Sequence, residues 1–138
     1  MKYMLILKAD AATESGAMPT DEDINAMGRF NEELIASDAL LAGEGLHSSS
    51  EGARVDFSGG VQSVTDGPFA ETKELIAGFW ILQVASREEA ITWAKRVPVT
   101  DGRIEVRRVH DVADFNQDNE YVQKEVAWRE QHGESRTA

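Results

Sequence analysis

The sequence predicts one α+β domain whose antiparallel sheet carries its helices on one face, and three observations predict it. The elements follow one another as strand, helix, strand, hairpin, strand, helix, strand, with a last helix after them. Two segments, Met1–Lys8 and Ile76–Val84, are apolar at odd and even positions alike, the pattern of strands buried on both sides. Two further segments open on helix-capping signals and then repeat apolar residues at helical spacing.

Met1–Lys8 sets Tyr3, Leu5 and Leu7 against Met4 and Ile6. Helices cover one of these faces. In a chain this small, covering the other falls to a partner subunit. Asp10–Met18 is rich in Ala, Gly, Ser and Thr and reads as a loop. A helix then starts at Pro19-Thr20: Thr20 caps it, and Asp21, Glu22 and Asp23 complement its positive end. Its stripe is Ile24, Met27, Leu34 and Ile35, with Phe30 or Asn31 between them, and it stops near Ser37-Asp38. Ala39–Leu46 is a short strand interrupted by Gly43 and Gly45, which implies a bulge or a close backbone approach. His47–Gly52 is a polar loop. Ala53–Phe57 and Val61–Thr65 form a hairpin about Ser58-Gly59-Gly60. After the central strand Ile76–Val84, the capping box Ser86-Arg87-Glu88-Glu89 opens a helix with Ala90, Ile91, Ala94 and Val97 inward, stopped by Pro98. Arg103–Val109 is a strand with Ile104 and Val106 on one face and Arg103, Glu105 and Arg107 on the other. A third helix over Asn119–Gln131 presents Tyr121, Val122, Val126 and Trp128, and Gly133 ends it; the last five residues fray. This order is the split βαβ, ferredoxin-like pattern.

Composition narrows the function classes. The chain has 138 residues, 41% of them hydrophobic, enough for one core. It has no cysteine, which excludes disulfides, thiolate catalysis and cysteine-bound zinc and favours a cytoplasmic location. A net charge of −11 argues against DNA or RNA as partner. No apolar run reaches the roughly 18 residues of a membrane span, and the run after Lys2 is too short for a signal peptide.

Chemistry concentrates in Asp66-Gly67-Pro68-Phe69-Ala70-Glu71-Thr72-Lys73-Glu74, a rigid turn and a cluster of ionisable groups just ahead of the central strand. This nonapeptide resembles the signature of the DGPF proteins, a branch of the YCII-related (YciI-like) family. Met1–Ile6, Leu40–Leu46 and Gly102–Arg107 are similar to other segments of that family. The likeness covers about residues 1–115, and residues 116–138 are a C-terminal helical extension of the same domain. It implies a ferredoxin-like fold and a homodimer whose two sheets pack face to face as a dimeric α+β barrel. For function it implies two classes: a small-molecule-binding or regulatory accessory module, in some members associated with sigma factors, or an isomerase or lyase acting on a small aromatic or oxo-acid substrate through an Asp–His pair.

Each candidate residue has a chemical and a structural reading. Asp66 is either a half-buried general base or a turn residue whose carboxylate accepts backbone N–H bonds. His47 and His110, both at strand ends, are its possible catalytic partners, and equally structural residues; His132 lies in the tail. Lys73 is an anion clamp with Glu71 or Glu74 as acid or base, or else all three are surface ion pairs. Arg107 binds a substrate carboxylate or belongs to a charged solvent face, where Arg103 is placed. Phe69 is a pocket wall or interface anchor. No metal spacing and no glycine-rich phosphate loop occur, so neither a metal nor a cofactor is expected.

Overall fold

The structure, a computed structural model, describes residues 1–133. Lys2–Lys8 forms β1, Leu40–Gly45 β2, Ala53–Asp56 β3, Ser63–Asp66 β4, Ile76–Gln83 β5 and Ile104–Arg108 β6. The helices are α1 (Ala11–Glu14), α2 (Asp21–Ala36), α3 (Arg87–Arg96) and α4 (Glu120–His132). Strands β2-β5-β1-β6 make one four-stranded sheet in that order, every neighbouring pair antiparallel. β1-α2-β2 and β5-α3-β6 are therefore two βαβ units, each with a strand of the other inserted between its own. β3 and β4 form a separate two-stranded sheet.

Alternation along the strands sorts the sheet into two faces. Tyr3 pairs with Leu82, Leu5 with Trp80 and Leu7 with Gly78, and Leu5 also pairs with Val106. These residues share the core with Phe30 and Leu34 of α2 and Ala90 and Trp93 of α3. Leu5, Leu34 and Leu82 are fully buried, each contributing about 1.5–3 kcal/mol of transfer free energy. The Phe30 ring meets Trp80 edge-on at 5.7 Å and Trp93 at 6.2 Å. Trp80 Nε1–H donates to Asn31 Oδ1 at 3.0 Å, so both Phe30 and Asn31 face the sheet. Ile24 and Ile35, expected in the stripe, are 52% and 59% exposed: at helical angles the stripe that fits the sheet runs through Met27, Phe30, Asn31 and Leu34. Trp93, absent from the sequence reading, is buried between Ala90 and Val97.

The opposite face carries two rows across the sheet. One runs Ala42, Ile81, Met4, Arg107, the other Glu44, Phe79, Ile6, Glu105. These residues lie outside the core cluster.

Caps set the helix ends. Thr20 and Asp23 form a reciprocal capping box on α2. On α3, Ser86 accepts from the Glu89 N–H, but the Glu89 carboxylate reaches back one residue further than expected, to the Ala85 N–H at 2.8 Å. The segment Asp10–Met18, read as loop, contains α1 instead, because Asp10 and Thr13 cap each other's backbone N–H groups. β2 shifts register between Leu40 and Ala42, ahead of both glycines, which pair regularly, and a side chain at Gly43 would stand 3.1 Å from Trp80 Cδ1: of the two readings of these glycines, Gly43 shows the close approach. Gly59 and Gly60 turn the β3–β4 hairpin at positive φ. Asn119 caps α4 and Gly133 closes it. Its Val122 and Val126 are half-buried, while Tyr121 and Trp128 are exposed. The tail expected to fray lies outside the described residues.

Candidate functional site

The segment from Asp66 to Glu74 is held from two sides. Between β2 and β3, a single 3-10 turn at Ser49–Glu51 presses its backbone against Gly67. A Cβ on Gly67 would stand 1.7 Å from the Ser49 carbonyl oxygen, so only glycine fits. The Gly67 N–H donates to Gly52 O at 2.9 Å, and the Gly67-Pro68 peptide is cis.

Ser49 is the hub of this arrangement. Its Oγ accepts the Phe69 N–H at 3.0 Å and donates to Glu14 Oε2, while its own N–H donates to Glu14 Oε1 at 3.0 Å. Ser48 Oγ–H donates to Glu14 O at 2.6 Å. Glu14 thus ties α1 to the serine turn, and Ser49 ties that turn to the signature. Neither residue stood out in the sequence. The one available signal was three consecutive serines beside a loop rich in capping residues.

From the other side, Arg54 of β3 stacks over the Phe69 ring at 3.8 Å and lies 3.7 Å from Glu71 Oε2. The stacking is worth about 0.5–1 kcal/mol at such an exposed position.

Two clefts flank the 3-10 turn Thr72–Glu74. One, of about 530 Å³, has Phe69, Leu46, Leu75 and Ile76 in its wall, with His47, Glu14 and Glu74 around them. The other, of about 400 Å³, is bounded by Lys8, Asp10, Thr72, Lys73, Asp101 and Arg103. Both fall in the size range of small-molecule sites.

The predicted site residues are dispersed over this surface. Asp66 ends β4, opposite Ala53, exposed, and its carboxylate accepts no hydrogen bond among the described residues. The turn is held by the amides of Gly67 and Phe69 instead. His47 is 86% exposed and pairs with Glu51 at 3.0 Å. His110 is 78% exposed, pairs with Asp114 at 3.5 Å and leans on Phe115. No contact joins Asp66 to either histidine among the described residues. Phe69 lines the first cleft, Lys73 the second, and Arg107 stands at the end of a row on the other sheet face, 3.7 Å from Glu105.

Two carboxyls with lowered pKa serve as caps. The Thr13 N–H holds the Asp10 carboxyl below its ordinary range, and the Asp111 N–H does the same for Asp114. Among the described residues no group of three or more His, Cys, Asp or Glu is placed to hold a metal ion, and no helix is long and apolar enough to cross a membrane.

Two comparisons bear on this geometry. The profile of the YCII-related domain matches residues 1–113, which includes every strand and both clefts. An uncharacterized protein of Rhizobium meliloti (strain 1021) is 43% identical over 50 residues, covering 36% of this chain and 40% of that protein's length.

Proposed function

The chain belongs to the YCII-related family, and from that premise we propose that it is a small-molecule-binding module of the DGPF branch, acting as a homodimer in a regulatory or accessory role. Asp66-Gly67-Pro68-Phe69 supports the branch. The observation that carries the binding reading is the way Ser49 locks the signature. Its hydroxyl bridges Glu14 and the Phe69 amide, Gly67 is packed against backbone, and Phe69 is thereby fixed as one wall of the 530 Å³ cleft. A preset aromatic wall suits a ligand with a flat apolar body, such as a small aromatic acid. Acid–base turnover needs groups in mutual reach, and here each candidate histidine is engaged by a carboxylate four residues along the chain.

Two surfaces support the homodimer. Met4, Ile6, Phe79 and Ile81 place large apolar groups on the sheet face away from the core cluster. Val55, Phe57, Val61 and Val64 of the hairpin are 52–73% exposed, and a two-stranded sheet of this size is marginal without something packed on it. The face-to-face α+β barrel is the arrangement we propose.

His47 and Glu74, which both border the Phe69 cleft, favour a second reading. An isomerase or lyase would draw its acid and base from this rim, with Asp66 as base once the dimer forms. One experiment separates the two. The protein is titrated with benzoate and phenylpyruvate by NMR, and the same samples are followed for hours for chemical conversion. Saturable shifts at Phe69 and Leu75 that Phe69→Ala removes, without conversion, are expected. Conversion that Asp66→Asn abolishes would transfer the assignment to the enzyme reading. Absence of saturable shifts with either acid overturns the proposed ligand class.

A further inference from the structure

We propose that the second cleft, on the far side of the Thr72–Glu74 turn from Phe69, is an oxyanion site that takes the carboxylate or phosphate group of a small molecule through Lys8, Lys73 and Arg103. These residues come from three separate segments: the end of β1, the 3-10 turn before β5, and the loop entering β6. Backbone contacts fix their meeting. Lys8 N–H donates to Arg103 O at 3.0 Å, and Ala9 N–H donates to Leu75 O at 2.9 Å. Lys8 and Arg103 thus sit side by side on adjacent antiparallel segments, Leu7 being paired with Ile104. Like charges in that relation repel.

The sequence makes this placement more telling. The chain has 25 Asp and Glu against 14 Lys and Arg, so a cation has carboxylates in abundance to pair with. Arg54, Arg96, Arg107 and Lys124 do pair. Lys8, Lys73 and Arg103 make no ion pair among the described residues, nor do Arg29, Lys95 and Arg108; what sets the first three apart is that they border one cleft, which Asp10 and Asp101 also border. The Asp10 carboxylate is turned to α1, where it accepts the Thr13 N–H at 2.8 Å. Three cations that border one cleft, none of them in an ion pair among the described residues, form a seat for an external anion. Arg103 supplies a planar fork for two oxygens, and the lysines supply point charges. Ala9, Ala11 and Gly102 keep the rest of the wall small, leaving room for the body of the ligand. Asp101 at the border can accept a hydrogen bond from a donor on the ligand beside its oxyanion.

The test uses the full chain at low ionic strength, where such contacts are least screened. Inorganic phosphate and acetate are titrated separately, with amide shifts of Lys8, Lys73, Gly102 and Arg103 as the readout. Saturable shifts at these positions are expected with at least one of the two, and the tighter probe identifies the ligand's head group. Lys73→Gln and Arg103→Gln, both at exposed positions, should each weaken binding tenfold or more. Phe69→Ala should leave it unchanged, which keeps this site's failure distinct from failure of the Phe69 cleft. Shifts that never saturate with either anion, or equal affinity in wild type and both variants, would overturn the proposal.

Discussion

Replacing Gly67 by alanine tests the claim that the signature turn is a packed element. The added Cβ would stand 1.7 Å from Ser49 O and 2.6 Å from Ser49 C. Neither atom belongs to a flexible side chain, so the backbone of the Ser49–Glu51 turn or of the signature must move by more than an ångström. That movement breaks the Gly67 N–H bond to Gly52 O and the Phe69 N–H bond to Ser49 Oγ. Each loss costs about 0.5–1.5 kcal/mol, and overpacking adds about 1–3 kcal/mol. The expected destabilisation is about 2–4 kcal/mol, partly relieved because the hairpin and the serine turn are surface elements able to detach. Urea unfolding measures the global part, and amide exchange at Gly67 and Phe69 the local part. Gly45→Ala is the control: nothing lies within 4 Å of a Cβ built there, so its effect should stay within about 0.5 kcal/mol. If Gly67→Ala behaves like Gly45→Ala in both assays, the packed-turn reasoning is wrong, and Phe69 is not a preset wall.

Two further outcomes follow from the core and from a cap. Trp80→Phe removes the Nε1–H bond to Asn31 and should show a coupling of about 1 kcal/mol with Asn31→Ala in a double-mutant cycle of urea unfolding; additive single effects would mean that the bond contributes nothing. The Asp10 carboxyl titrates below its ordinary 3.8 because the folded chain supplies the Thr13 N–H, so the stability it lends is present above that value and is lost as pH falls through the lower folded one. Asp10→Ala should therefore speed exchange of the Thr13 amide near neutral pH, through loss of about 1 kcal/mol of capping, and make no difference in strong acid.

The fold was legible because its signals are local. Alternation at both parities in Met1–Lys8 and Ile76–Val84 marked the two central strands, β1 and β5, and the capping residues Thr20 and Ser86 marked α2 and α3. Where the reading missed a helix face, the deciding contact lay between elements distant in the chain. Helical spacing left Phe30 and Asn31 as alternatives and put Ile35 in the stripe; Trp80 brings both alternatives to the sheet, its ring meeting Phe30 and its N–H meeting the Asn31 amide oxygen, while Ile35 stays exposed. Trp93 went unnoticed because the alanines around it set the apparent stripe, yet its ring is what Phe30 meets. α1 was hidden in a segment of small residues whose helical turn depends on the reciprocal Asp10–Thr13 cap.

The site was less legible, and for a physical reason. Sequence reading groups ionisable residues that are neighbours in the chain, so Glu71, Lys73 and Glu74 looked like one cluster. In three dimensions the Thr72–Glu74 turn is a partition: Lys73 faces one cleft with Lys8 and Arg103, and Glu74 borders the other with Phe69 and His47. Glu71 turns away to Arg54. Arg54, His47, Arg103 and Lys8, which these side chains meet, lie from 17 to more than 60 residues away in the chain. The same partition bears on binding. A ligand on either side rests against one short turn whose ends are fixed, by Leu75 O to Ala9 and by the Phe69 amide to Ser49. Strain in Gly67→Ala should therefore loosen the Phe69 wall first and reach the Lys73 cleft only if the whole turn shifts. Comparing phosphate and benzoate affinity in that single variant would reveal whether the two clefts are independent or share one rigid wall.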